Sequence, residues 1–252
     1  MQYLALIQAR YGSSRLPGKV MEPLCGKPLL QHVIERVGKS RHVEEVAVVT
    51  SVKPRNAPIV RLCDDLGIRV FSGSENDVLD RFYQFAKRIK PQYIVRVTAD
   101  CPCYDWQLLD MAIEQSDGCD YCGDMAETLP DGLDIEICRF SALEQAWREA
   151  ALPPEREHVT QYIRKHPEWF QIKEFRCPTA GISHHRWTVD EPEDLQLVKA
   201  VFEHFYGLGQ PDFTYRDVLE FLEAHPEIMR LNAKITRNEG LAKSLANESN
   251  GG

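Results

Sequence analysis

The chain has no apolar run of membrane-spanning length and no surplus of positive charge. The first absence excludes a transmembrane helix, and the short opening apolar stretch is interrupted too soon for a signal peptide, so a cytoplasmic location is expected. Its 30 Lys and Arg stand against 38 Asp and Glu, a formal net charge of −8. That balance excludes the basic footprint of a general nucleic-acid or membrane-surface binder. Internal repeats are absent too. Cysteine is not scarce, but eight cysteines spread over 252 residues do not make a small secreted disulfide scaffold. Cys101-Pro102-Cys103 and Cys119-Asp120-Tyr121-Cys122 have an irregular zinc spacing, and most of the cysteines lie in apolar or strand-like stretches. There a free thiol behaves as a small hydrophobe, which is the reading preferred here over structural zinc.

What the chain does have is concentrated in its first twenty residues. Leu4-Ala5-Leu6-Ile7 reads as a buried first strand of a parallel sheet. It runs into a Gly- and Ser-rich loop (Gly12, Ser13, Ser14, Gly18) carrying Arg10, Arg15 and Lys19. Small residues let backbone N–H groups approach an anion, and the cations offset its charge, so the loop predicts a polyphosphate site. It is not a Walker A loop. Five residues separate Gly12 from Gly18, where that loop has four, and Val20 stands at the magnesium-binding hydroxyl position. Metal ligands must come from elsewhere.

At this length and with 43% hydrophobic residues, one large α/β domain over 1–235 is expected, followed by a tail over 236–252. Helical periodicity marks 28–37, 57–66, 77–89, 106–115, 140–149, 158–165, 192–205 and 215–224. Strand patterns fall at 46–50, 68–71, 93–97, 131–137 and 186–189, and Pro153-Pro154 separates two of the helices. Strands alternating with helices imply right-handed crossovers and a parallel sheet.

Asp100 and Asp190 each end a predicted strand, at the sheet edge where ligands of open α/β folds bind. Mg2+ prefers oxygen and commonly takes one or two carboxylates plus substrate phosphates. A helix N-cap is the competing role for either aspartate, and proximity to the cationic loop favours metal binding. Asp194 fits a first-turn charge that complements the helix dipole. On the strand 131–137, Asp134 and Glu136 face one side and are candidates for hydrogen-bonding the hydroxyls of a ligand, with a solvated strand face as the alternative. Arg156, His158 and Arg186 are candidates for holding a carboxylate or phosphate of a ligand. For Arg156, between Glu155 and Glu157, a surface ion-pair cluster competes; for His158, a core or capping role.

Ile7-Gln8-Ala9-Arg10, with Ser13, Arg15, Leu16, Pro17, Gly18 and Lys19, resembles the signature of the Kdo and acylneuraminate cytidylyltransferases, which activate acidic sugars with CTP. The stretches 73–81, Thr98-Ala99-Asp100-Cys101-Pro102, Pro130-Asp131-Gly132-Leu133-Asp134-Ile135-Glu136, 155–160 and Arg186-Trp187-Thr188-Val189-Asp190 resemble the spore coat polysaccharide biosynthesis protein F branch more closely. The resemblance covers residues 2 to about 235. It implies a Rossmann-like nucleotidyltransferase fold with a mixed, mostly parallel sheet flanked by helices, and commonly a homodimer. It implies that Arg10 and Lys19 hold the triphosphate, that Asp100 and Asp190 bind Mg2+, and that Ser74, Asp77 and Arg81 contact the nucleoside; Gln8, Ala9, Gly12, Ser13, Ser14 and Arg15 complete the expected nucleotide-binding set. Thr188 stands where acylneuraminate enzymes often carry a further aspartate, and Gln8 where many relatives have proline.

The predicted chemistry is attack of an acceptor oxygen on the α-phosphorus of CTP with loss of pyrophosphate, where Arg10, Lys19 and Asp100 carry the catalytic roles. Two other classes stay open: a nucleotide-sugar-dependent glycosyltransferase and a non-catalytic nucleotide-binding module. The first usually shows Asp-x-Asp after a strand, where this chain has one aspartate at 100.

Overall fold

The structure is a computed structural model describing residues 1–13 and 15–237; Ser14 and nearly all of the expected tail lie outside the described residues. The strands, in chain order, are β1 (Tyr3–Gln8), β2 (Pro23–Leu24), β3 (Lys27–Pro28), β4 (Glu45–Ser51), β5 (Arg69–Gly73), β6 (Tyr93–Thr98), β7 (Tyr121–Gly123), β8 (Glu136–Arg139) and β9 (Ile172–Glu174). The helices are α1 (Leu29–Val37), α2 (Ala57–Asp65), α3 (Val78–Ile89), α4 (Trp106–Gln115), α5 (Phe140–Glu149), α6 (Pro153–Glu157), α7 (Gln161–Lys165), α8 (Pro192–Gly207), α9 (Tyr215–Ala224) and α10 (Pro226–Met229).

Seven strands form one sheet in the order β5-β4-β1-β6-β8-β7-β9, and β2 pairs with β3 as a small hairpin. β5, β4, β1 and β6 are parallel, whereas β8 runs antiparallel to both β6 and β7. The sheet is therefore mixed and mostly parallel, as expected. Its central strands are apolar on both faces because helices cover both. Ala5, Ile7, Val48, Val95 and Val97 pack with α1, α4, α8 and α9. Leu4, Leu6, Ala47, Val49 and Ile94, one residue out of step, pack with α3, α5 and α7.

After β1 the chain winds outward through β4 and β5, then returns to place β6 on the other side of β1. The order reverses at the β1/β6 junction. Loops leaving two adjacent parallel strands there diverge to opposite faces and open a crevice at the carboxyl ends. Those ends are Gln8 and Thr98, which are register partners.

Three expected elements differ. The alternating stretch 131–137 is a strand only from Glu136; Gly132, at φ 102°, turns the chain, and Leu133 N–H donates to Pro130 O at 3.0 Å. The segment 186–189 is not a sheet strand, with Arg186 forming an isolated parallel bridge to Asp131. Its N–H groups are divided between two loops: Trp187 donates to Asp131 O at 2.7 Å, and Val189 to Asp100 O at 2.8 Å. Pro153-Pro154 lies between α5 and α7, as expected, and there opens the short α6, as Pro does in a first turn. The expected helix 158–165 then breaks at Val159, a buried β-branched residue at φ 51°.

Gly132 supports the third loop of the site. A Cβ there would stand 2.5 Å from Thr188 N and 2.7 Å from Trp187 C, in a backbone conformation that side chains rarely adopt. Gly132→Ala is therefore expected to cost about 2–3 kcal/mol in urea denaturation, and a cost near zero would show that the 187–188 backbone yields freely.

Candidate active site

Three side chains from distant parts of the chain meet at the switch point. Lys19 begins a 3-10 turn after Gly18, whose φ of 79° lets the loop double back over the sheet edge. Asp100 follows β6, and Asp190 is brought beside it by the Val189–Asp100 backbone bond. The Lys19 Nζ lies 2.6 Å from Asp100 Oδ2 and 2.6 Å from Asp190 Oδ1. Neither aspartate caps the following helix. Asp105 caps α4 through the N–H groups of Gln107 and Leu108, both at 2.9 Å. At α8, Asp194 reaches back to the Glu191 N–H at 2.9 Å. Both carboxylates thus remain available to the crevice.

Burial pushes the Lys19 ammonium down, but Asp100 and Asp190 outweigh it and hold the group above its ordinary pKa. Burial likewise pushes the Asp100 carboxyl up, and Lys19 more than reverses this, holding it well below the usual carboxylate range. Lys19 and Asp100 are thus each held in the charged form near neutrality. A hard divalent ion suits this donor set, two anionic carboxylates from separate segments already converging on one cation. Asp190 Oδ2 is additionally met by Arg15 at 2.8 Å and Arg186 at 3.1 Å.

The crevice has two joined compartments. The first, about 270 Å3, is lined by Gln8, Arg10, Ser13, Arg15, Lys19, Val20, Thr98, Ala99, Asp100 and Asp190. Ala9 does not line it; this residue is buried and extends the β1 ladder by donating to Val49 O at 3.0 Å. Gly12 backs onto Arg55, whose guanidinium carbon would lie 2.6 Å from a Cβ there.

Of the expected nucleoside contacts, Ser74, Asp77 and Arg81 line neither compartment. Asp77 caps α3 by accepting from Asp80 N at 2.8 Å and pairs with Arg156 at 2.5 Å. Arg156, in turn, also donates to Trp147 O at 2.7 Å, which fixes it away from the crevice. Ser74 accepts the Asp77 N–H at 3.2 Å. Arg81 is 2% exposed, and its Nε and Nη1 are buried without hydrogen-bond partners. Burial, then the neighbouring Arg10, lower its pKa to about 10.

The second compartment, about 320 Å3, extends from Asp100 and Asp190 to Asp134, Glu136, His158, Gln161, Arg164 and Arg237. Its arginines are mostly committed. Arg96 pairs with Glu136, its cross-strand partner, and donates to Gln8 Oε1 at 3.1 Å. Arg237 holds Asp134 at 2.8 Å. Arg186 lines the compartment but is braced by Asp131 at 2.5 Å and Asp194 at 2.9 Å. Arg164 carries no ion pair or side-chain hydrogen bond among the described residues, and the fields of Tyr121, Glu136 and Asp134 offset its burial. Just before it, the Val159 break turns His158 into the crevice with its Nε2 buried and unpartnered. Burial, reinforced by Arg96, holds that imidazole below its ordinary pKa.

Sequence reading passed over Arg96 because it sits inside an otherwise apolar strand, where a lone charge was itself the signal. Arg164 had no such mark. Asp194, read as a first-turn charge, is 0% exposed and accepts from Arg186, Asn232, Glu191 and Asp190. The cysteines read as small hydrophobes are free thiols, with Cys101, Cys103, Cys119 and Cys122 all buried and Cys119 donating to Ser116 O at 2.9 Å.

A mixed sheet whose switch point presents a cationic loop and two carboxylates is suited to a nucleotide's phosphates. Residues 4–220 match the profile of the family described as Cytidylyltransferase, and the chain belongs to that family. It is 34% identical over 238 residues to the spore coat polysaccharide biosynthesis protein SpsF of Bacillus subtilis, covering 89% of this chain and 95% of that protein. A solved cytidylyltransferase from Leptospira borgpetersenii superposes with a TM-score of 0.84 at 32% identity, covering 91% of this chain and 97% of the other. The 3-deoxy-manno-octulosonate cytidylyltransferase of Geobacter metallireducens is 38% identical over 113 residues, 45% of this chain and 44% of that enzyme. No described helix is long and apolar enough to cross a membrane.

Proposed function

We propose that the crevice transfers CMP from CTP to an acidic sugar or a related acceptor, making an activated precursor for a polysaccharide or surface glycan. The observation that carries this reading is the convergence of Lys19, Asp100 and Asp190 beside the cationic loop at the β1/β6 switch point. Membership of the cytidylyltransferase family supports CTP as the nucleotide, and the 3-deoxy-manno-octulosonate enzyme among the relatives supports a sugar-acid acceptor. Arg10, Arg15 and Lys19 bind the triphosphate and offset the charge that grows on the leaving pyrophosphate. Asp100 and Asp190 hold Mg2+, which when bound polarises the α-phosphate as a Lewis acid. An acceptor hydroxyl in the second compartment forms the new bond to the α-phosphorus as the bond to the β-phosphate oxygen breaks, and its proton passes to solvent. The acceptor's anionic group goes to Arg164, since Arg156 and Arg186 are occupied with carboxylates of the protein itself. The homodimer implied by the resemblance, and the cytoplasmic location expected from the sequence, belong to the same reading.

A nucleotide-by-acceptor screen with pyrophosphate detection tests it. Release is expected with CTP and a sugar acid. Binding of UDP-sugars with no pyrophosphate from any nucleotide would favour the glycosyltransferase instead. With an acceptor in hand, Arg164→Gln is expected to raise its KM roughly 10- to 100-fold while leaving the KM for CTP nearly unchanged, as loss of one charge-assisted bond implies. Equal effects on both substrates would remove Arg164 from the acceptor site.

A further inference from the structure

The ammonium of Lys19 lies between Asp100 and Asp190, the two carboxylates proposed above to hold Mg2+. Among the described residues it hydrogen-bonds only Asp100 and Asp190, each at 2.6 Å. Its side chain is 8% exposed, so water does little to replace either contact. The other cations at the pair are held differently. Arg186 is braced from behind by Asp131 and Asp194, and it cannot leave Asp190 without uncovering two further buried charges. Lys19 has no such brace.

We infer that Lys19 is an internal stand-in for the divalent ion, so that the metal is admitted to Asp100 and Asp190 only when a triphosphate draws the ammonium away. The inference rests on the proposed placing of nucleotide and metal. Without nucleotide, an incoming divalent ion meets carboxylate oxygens already neutralised at contact distance and must displace an ammonium into a largely buried space. A triphosphate in the first compartment gives that ammonium a new anionic partner beside it, since Lys19 lines the same compartment as Arg10, Ser13 and Arg15. The freed oxygens then regain their attraction for a hard cation. Linkage makes the effect mutual: nucleotide tightens metal by the factor with which metal tightens nucleotide. The device orders loading at the site and keeps a bare metal from occupying it unproductively.

Titration of the full-length protein with Mn2+ alone, followed by calorimetry and by the electron paramagnetic resonance of free Mn2+, tests this without turnover. Wild type is expected to bind weakly, and Lys19→Gln to bind at least about tenfold more tightly, because one unit charge at contact distance has been removed. Adding Asp100→Asn to Lys19→Gln should return binding to the weak level. Lys19→Gln binding no tighter than wild type overturns the stand-in role while leaving the carboxylate site itself possible. Tight binding that survives the added Asp100→Asn places the ion elsewhere and overturns the metal reading as well. Should Lys19→Gln fail to fold, wild-type crystals soaked in Mn2+ without nucleotide supply the decision. Anomalous density between the two carboxylates would refute the inference, and its appearance only after CTP is added would support it.

Discussion

Asp100→Asn is expected to lower turnover of CTP by about 10³-fold or more while the protein stays folded, the loss that follows when a charged group acting on the reacting phosphate is made neutral. The substitution keeps size and shape. It also keeps the backbone carbonyl of residue 100, which accepts the Val189 N–H at 2.8 Å and anchors the segment bearing Asp190. What it removes is one of two negative charges facing Lys19. Asp190 cannot compensate, because its second oxygen is already shared by Arg15 and Arg186. The KM for CTP should move far less than kcat, since Arg10, Arg15 and Lys19 remain. Steady-state kinetics with pyrophosphate detection, beside a denaturation curve for each protein, makes the comparison. Turnover within about tenfold of wild type would take Asp100 out of the chemistry.

Much of this arrangement is legible in the sequence, for a physical reason. Continuous apolar runs mark strands buried on both faces, and such strands place the residues that follow them at one edge. That is how Asp100 and the Arg10–Lys19 loop could be set on one rim. Asp190 was placed there on a mistaken premise, since 186–189 is no sheet strand. It reaches the site through bonds to the 100 and 131 loops, and such loop-to-loop pairing leaves no periodicity to read. The short strands β7 and β9 were missed likewise, three residues each being too few to show alternation. Arg156 and Arg186 illustrate a further limit. Their charge is visible in the sequence, but whether a guanidinium faces a ligand or a carboxylate of its own chain depends on tertiary contacts. Asp77, 79 residues from Arg156, and Asp131, 55 residues from Arg186, help to decide it for these two.

Asp194→Ala is expected to be the most destabilising of these substitutions, by about 3–5 kcal/mol, the range found when one partner of a buried ion pair is removed. Asp194 is wholly buried, and Arg186, 7% exposed, donates to it through Nε at 2.9 Å and Nη2 at 3.0 Å. The same carboxylate accepts from Asn232 Nδ2 at 2.8 Å and from the Asp190 and Glu191 N–H groups at 3.0 and 2.9 Å. Truncation therefore strands a guanidinium and several donors at once, in a space water does not readily reach. Asp194→Asn offers no escape, because its amide would point a donor at groups that themselves donate. The consequence for the site follows directly. With one brace gone, Arg186 is left to Asp131 and Asp190, and the Asp190 backbone loses the bond that fixes its turn into α8. Chemical denaturation should show a lower midpoint with an unchanged slope, and below the unfolding transition kcat should still fall because Asp190 is no longer held at Lys19. A loss under about 1 kcal/mol would mean that the Arg186 cluster is held mainly by Asp131. In that case the geometry of the site would depend on the turn at Gly132 rather than on the start of α8.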